Sequence, residues 1–156
     1  MSKKRPTPYS AFNFLVGIDG IDEMDYVGGF SEVSGLNAEV TMAEYRAGNA
    51  KVNYVSKVPG VNKSGDVTLK RGVIGSDNIF KWLNLARSGD LNAKKDSVTI
   101  KLLNEQRDET PVVTWTLKGV TPIKWTGPTL TAKGGGDVAM EELVLSVEYI
   151  EQSGEQ

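Results

Sequence analysis

The sequence predicts a mainly β protein, an antiparallel β-sandwich or barrel with one packed α-helix at about 76–88. Three observations predict it. Apolar residues recur at every second position through most of the chain, Gly, Pro, Asn and Asp punctuate these runs, and only one segment carries the three-to-four-residue period of a helix. Length agrees with a single unit: 156 residues with 39% apolar and 24% charged residues have the proportions of one soluble domain. A chain of this size buries roughly 70% of its unfolded surface, so its core needs neither metal nor disulfide.

Phe12, Phe14, Val16 and Ile18 alternate with Asn13, Leu15, Gly17 and Asp19 and make the first strand, which Gly20 and Asp22 end as a turn. Gly28–Val33 reads as a short strand. Leu36–Tyr45 reads as a longer one, with Ala38, Val40 and Met42 on one side and Glu39, Thr41 and Tyr45 on the other. Val52–Val58 alternates before Pro59-Gly60, read as a terminating turn, and Val67 and Leu69 open the next strand. The helix spans Asp77–Arg87, because Ile79, Phe80, Leu83 and Ala86 share a face beside Trp82, Ser76 or Asp77 suits its cap, and Gly89 stops it. Val98, Ile100 and Leu102 then face Val113, Trp115 and Leu117 across a polar turn at Asn104–Asp108, which makes a hairpin. Pro122, Gly127 and Pro128 are read as breaks around Trp125, Gly134–Gly136 as a bend, and Leu143, Leu145, Val147 and Tyr149 as the last strand. One domain over 1–156 follows, with a core at about 10–150, an arm or loop at 46–64, short flexible termini, and a frayed tail over the last six residues.

Composition removes much chemistry. Without His or Cys the chain can supply no Ser-His-Asp or Cys-His couple, no thiolate, and no zinc or haem site of the usual ligands, so neither enzyme activity nor a cofactor is expected. Eighteen bases against twenty acids leave a net charge of -2, which opposes retention on nucleic acid through phosphate neutralisation. The basic start Met1–Arg5 and the apolar run Phe12–Ile18 only superficially imitate a signal peptide, since Pro6 and Pro8 separate them and Asp19 closes the run. No stretch approaches the roughly 20 apolar residues of a membrane span, and no stable membrane association is expected.

Several ordered segments resemble one family. Gly29-Phe30-Ser31-Glu32-Val33-Ser34-Gly35-Leu36, Glu44-Tyr45-Arg46-Ala47-Gly48-Asn49, Pro59-Gly60 and Val67-Thr68-Leu69-Lys70-Arg71-Gly72 are similar, in order and spacing, to tail tube proteins of contractile-tailed bacteriophages and related contractile injection systems. Trp82, Leu102-Leu103-Asn104-Glu105, Trp115, Lys124-Trp125-Thr126-Gly127-Pro128 and Ala139-Met140-Glu141 extend the resemblance over about residues 12–150. Val120-Thr121-Pro122 departs from the Ala-Trp-Pro frequent in relatives, and Gly134–Asp137 replaces an Asn-rich bend. The resemblance implies a sandwich-like barrel whose subunits form homo-hexameric rings stacked into a hollow tube within a contractile sheath. It implies further partners in sheath, baseplate or spike, and tube terminator proteins, transient passage of DNA or protein cargo, and a piston that pierces a target envelope. It also implies synthesis in a bacterial cytoplasm and residence in a virion tail or contractile particle.

Within that reading, charge layout nominates residues. Arg46, Lys51, Lys57 and Lys63 are the four bases of Arg46–Ser64, which has no acid, whereas Gly134 to the C-terminus holds six acids and no base. The first segment, with Tyr54, is therefore expected to be an inter-subunit arm guided toward acidic surface, its apolar residues Val52, Tyr54, Val55 and Val58 supplying most of the affinity. Leu36–Tyr45 and Val138–Ile150 are candidate strands for edge-to-edge joining, and their polar residues Glu39, Thr41, Glu142, Ser146 and Glu148 are lumen-facing candidates. Two other classes compete. A glycosidase-like carboxylate pair could be sought at Glu141-Glu142 or Glu105 with Asp108, but adjacent strand residues point to opposite faces. A monomeric carbohydrate-binding or adhesin sandwich would use Trp82, Trp115 or Trp125 as a stacking platform, where core or interface packing is the plainer reading.

Overall fold

The computed structural model describes residues 7–18, 30–49, 51–73, 78–106, 111–134 and 138–154. Its strands are β1 (Phe14–Ile18), β2 (Phe30–Ser34), β3 (Ala38–Tyr45), β4 (Ser56–Ser64), β5 (Val67–Gly72), β6 (Lys95–Leu102), β7 (Val113–Thr126), β8 (Met140–Ser146) and β9 (Tyr149–Gly154). One helix, α1 (Asn78–Arg87), and a 3-10 turn at Leu91–Ala93 lie between β5 and β6. Every pairing is antiparallel.

The long strand β7 belongs to two sheets. Its first half, Val113–Val120, lies between β6 and β9, and β6 pairs in turn with β1. Its second half, Thr121–Thr126, pairs with β8, followed by β5 and β2. The two sheets enclose one core. Val16, Ile18, Val98, Ile100 and Leu117 enter it from the first sheet and Val67, Leu69, Leu143 and Leu145 from the second, each less than a few per cent exposed. This is the alternation read in the sequence, with the intervening residues more exposed except Gly17, which is buried between Val16 and Ile18. The sheets stay open, so sandwich rather than closed barrel describes the fold.

The helix covers β7 with Ile79, Trp82 and Leu83, and the Trp82 indole Nε1 donates to the Ala93 carbonyl at 2.6 Å. The bond satisfies the one polar atom of the largest core side chain. The helix ends as expected. Gly89, at φ +76°, donates to Ala86 and Asp90 to Leu85, which satisfies two terminal carbonyls and requires a residue free to adopt positive φ. The proposed caps Ser76 and Asp77 lie outside the described residues, as do Gly20, Asp22, Gly28, Asp108, Gly135 and Gly136.

Four expectations are corrected. Pro59-Gly60 is no turn: β4 runs through it, with Pro59 opposite Met42 at a bulge that absorbs the lost ladder bond, while Val52–Tyr54 forms bends and the strand starts only at Ser56. Pro122 does not break the chain either. It stands at a register shift, in the half of β7 whose other margin is unpaired, where a residue without N–H is tolerated. The last strand is two, since β8 stops at Ser146 and β9 resumes at Tyr149 in the same register against β7. Glu151–Gly154 is therefore paired strand, not frayed tail.

Strands β2 and β5 continue beyond the sandwich as β3 and β4. Ser34 faces Thr68 and Ala38 faces Ser64, so one register spans the junction. Gly35 at φ +87° makes that junction, and a Cβ on it would stand 2.2 Å from the Asp66 carbonyl oxygen. Opposite it, the Gly65 amide donates to Asn37 Oδ1 at 2.6 Å. Gly35→Ala is expected to cost about 2–3 kcal/mol of folding stability, read from the denaturant midpoint, because neither backbone can yield.

Candidate assembly surfaces

Strands β3 and β4 form a sheet of their own, an arm carrying the segment predicted from charge. All of β3 and all of β4 except Ser64 is exposed. Eight large apolar residues of this arm face solvent: Val40, Met42, Tyr45, Val52, Tyr54, Val55, Val58 and Val61, with Tyr54 at 70% and Val61 at 71%. A lone two-stranded hairpin is marginal in water, and a contiguous apolar surface of this kind marks an interaction site.

The arm also orders the nominated charges. Glu39 lies directly opposite Lys63, and Glu44 opposite Lys57, so these lysines face acids of their own hairpin. Arg46 folds over the tip, where Nε and Nη2 donate to the Val52 carbonyl at 3.3 and 3.2 Å. Lys51 and Tyr54 stay exposed beside it. Lys51 is thus the nominated cation with neither a cross-strand acid nor a closing bond among those described. Glu39 and Thr41, expected toward a lumen, sit on this arm rather than on the sandwich.

Edges are differently distributed from the expectation. Strand β8 lies between β5 and β7 and has no free margin, which removes it as a joining edge. The second sheet is bounded by β2 and by the second half of β7, and the first by β1 and β9. The signal missed was pairing order, since a strand with one apolar and one polar face looks alike at the centre and the margin of a sheet.

The outer face of the second sheet is polar. Register aligns Glu32, Lys70, Glu142 and Thr126 in one row, and Ser34, Thr68, Val144 and Lys124 in the next. Lys70 Nζ lies 3.7 Å from Glu32 Oε2. Two acids and two bases leave these rows without net charge. Glu142 and Ser146 are half-buried members of this face, while Glu148 stands in the bend between β8 and β9, where Lys94 donates to it.

Beneath this face lies an ion pair. Arg71 and Glu141 are 1% and 9% exposed, directly opposite in the β5–β8 register, and Arg71 Nε donates to Glu141 Oε1 at 2.5 Å. Trp125 Nε1 donates to the other carboxylate oxygen at 3.2 Å, the Phe30 ring lies 5.8 Å from the guanidinium carbon, and Phe80 meets Trp125 edge-on at 5.2 Å. Glu141 is thereby fully engaged in structure. With Glu142 on the opposite face, the two do not form a catalytic pair. Among the described residues no group of three or more acids or other ligating side chains could hold a metal, and no helix is long and apolar enough to cross a membrane. Trp82 is buried, Trp115 is partly buried with Nε1 donating to Gln152, and Trp125 is partly buried against the core. The three therefore do not form an exposed stacking platform.

One feature escaped the sequence reading. The turn from Gly127 to Gly134 and the approach to β8 at Val138–Met140 overhang the end of the second sheet and leave a groove of about 710 Å3, floored by Glu32, Lys70 and Glu142. Its components come from four segments, and only the sheet order brings them together.

Residues 10–151 match the family of the T4-like virus tail tube protein gp19. No curated protein sequence matches the chain. A solved chain in the sheath-tube complex of the PVC extracellular contractile injection system, in its extended state, is 29% identical with a TM-score of 0.78, covering 96% of this chain and 94% of that one. A chain in the PVC sheath/tube terminator is 29% identical with a TM-score of 0.76, over 95% and 98% of the two chains. A chain in the six-fold symmetrised anti-feeding prophage baseplate is 25% identical with a TM-score of 0.77, over 96% and 98%.

Proposed function

The chain belongs to the T4-like virus tail tube protein family, and from that premise we propose that its subunits close into rings of six which stack as the inner tube of a contractile particle. A structural tube role is what the family carries, and it displaces the monomeric carbohydrate-binding alternative. The observation that carries the assembly reading is the arm: seventeen strand residues, nearly all exposed, with apolar side chains that nothing among the described residues covers. Two strands without a covering layer are marginal in water, and a neighbour that covers them adds the missing burial.

Lateral joining uses strand margins. Sheet edges normally carry devices that prevent association, and an edge left available templates pairing with another chain. The second sheet offers β2 at one margin and the second half of β7 at the other. Six such four-stranded sheets joined in sequence would close on themselves, since a head-to-tail contact stops propagating only when its rotation completes a circle. The six-fold symmetry of the anti-feeding prophage baseplate, which holds a related chain, supports this number. The polar face bearing Glu142 and Ser146 then lines the lumen. Its balanced charges suit a conduit, because a strongly basic wall would retain DNA and a strongly charged one of either sign would hold oppositely charged effectors. The arm, with Arg46, Lys51, Tyr54, Lys57 and Lys63 as well as Glu39 and Thr41, makes contact between rings.

The relatives occur with sheath, terminator and baseplate, which supports the same partners here. Residence in a virion tail or an extracellular particle accords with those relatives, and synthesis in a bacterial cytoplasm is part of the same proposal. The tube works as conduit and piston without reactive groups of its own. Negative-stain microscopy with light scattering of the purified chain is expected to show rings or tubes that lengthen with concentration. A species that stays monomeric at high concentration would overturn the reading.

A further inference from the structure

We infer that the groove under the Gly127–Gly134 turn is the receptor for the arm tip of a second copy of this chain in the next ring, an inference that rests on the tube reading above. Topology carries the first step. The arm leaves the second sheet beyond Ser34 and Thr68, whereas the groove opens at the far end of the same strands, around Glu32, Lys70 and Glu142. A protrusion at one end and a recess at the other end of one sheet form a heterologous pair, which repeats along the strand direction when copies are stacked. The eight-residue ladder of β3 carries the tip about 26 Å past the sandwich.

Chemistry carries the second step. The groove presents Glu32 and Glu142 on either side of Lys70, and Glu141 beneath them is already neutralised by Arg71. The tip brings Lys51 from a stretch, Arg46–Ser64, that has four bases and no acid. The apolar halves match as well. Tyr54 and Val52 are exposed on the tip, while Leu130 at 80% and Val138 at 73% are exposed at the groove. Each partner therefore leaves apolar surface uncovered, and the groove, with two outer-face acids against the one base Lys70, has a surplus acid to meet Lys51 of the tip. The charges set register and approach, and the burial of Tyr54, Val52 and Leu130 supplies the affinity.

The chain has no cysteine, so cross-linking tests the contact cleanly. Tyr54→Cys combined with Leu130→Cys, oxidised after assembly, is expected to give a ladder of covalent multimers on a non-reducing denaturing gel. Tyr54→Cys with Leu91→Cys, a still more exposed position in the 3-10 turn, should give none. A parallel charge exchange provides a second reading: Lys51→Glu and Glu32→Lys should each raise the critical concentration for tube formation several-fold, and the double exchange should restore it. If tubes form but the Leu130 pair stays unlinked, or the Leu91 pair links instead, the receptor lies elsewhere while the tube reading stands. If the unmodified chain forms no tubes at all, the tube reading itself fails.

Discussion

Replacing residues 46–55 with an Asn-Gly turn is expected to leave a folded protein that no longer forms tubes at concentrations where the full chain does. Tyr45 and Ser56 are direct partners in the β3–β4 register, so a two-residue turn of the type that suits twisted hairpins can join them without moving either strand. The excised segment removes Val52, Tyr54 and Val55, which are all exposed and contribute nothing to the sandwich core. Half-burial of these three side chains at a neighbour is worth about 3 kcal/mol, from about 1.5–3 kcal/mol for full burial of each. That corresponds to about a 100-fold rise in the critical concentration. Loss of Lys51 adds about 0–1 kcal/mol, so the apolar share decides the outcome. Thermal unfolding should stay within a few degrees of the full chain while sedimentation shows only small species. Tubes of normal length from the shortened chain would refute the arm as the inter-ring contact.

The same segment shows why some of the molecule was legible in the sequence and some was not. Val98, Ile100, Val67, Leu69, Leu143 and Leu145 alternate strictly because one face of each strand is buried, and the period alone places them inside. The helix was legible for the same reason, its buried face recurring at helical spacing and its end marked by Gly89. The arm obeys no such rule. Both its faces are exposed in the subunit, so burial imposes no alternation and the apolar residues scatter over Val40, Met42, Val58 and Val61. Pro59-Gly60 then looked like a turn, because the usual argument against proline in a strand assumes a strand needing every ladder bond.

Charge patterning singles out 46–64, which the structure places at the tip and in the second strand of the exposed β3–β4 hairpin, yet the linear pattern does not show which charges face one another. Lys57 and Lys63 appear as part of an acid-free run when the chain is read linearly, but pairing puts Glu44 and Glu39 across from them. Only register exposes that cancellation, and register follows from the Gly35 junction that makes the arm a continuation of β2 and β5. The groove and the joining edges are less legible still, since they depend on which strands are neighbours. Glu142 and Ser146 could be assigned to a polar face from sequence, but the identity of the strands beside them could not.

Glu141→Gln is expected to lower the melting temperature by about 10 °C. It removes the carboxylate that the Arg71 Nε–H meets at 2.5 Å, on a side chain only 1% exposed. Removing one partner of such a pair costs about 3–5 kcal/mol, and a domain of this length loses roughly 2–4 °C per kcal/mol. Arg71→Met combined with Glu141→Leu should recover most of that loss, because two apolar side chains need no counter-charge. The residual deficit, about 1 kcal/mol, would come from Trp125 Nε1, which loses its acceptor. Recovery by the double change would mean that the ion pair is retained for something other than net stability, and register is the physical candidate. Arg71 and Glu141 are direct opposites in β5 and β8, so a one-residue slip would bring Glu142 opposite Arg71 and carry Glu141 to the outer face. That slip would also turn the acid that floors the groove into the core. A double variant that melts within a few degrees of the unchanged chain yet assembles at a higher critical concentration is therefore the expected outcome. Full recovery of both properties would leave register to the apolar alternation alone.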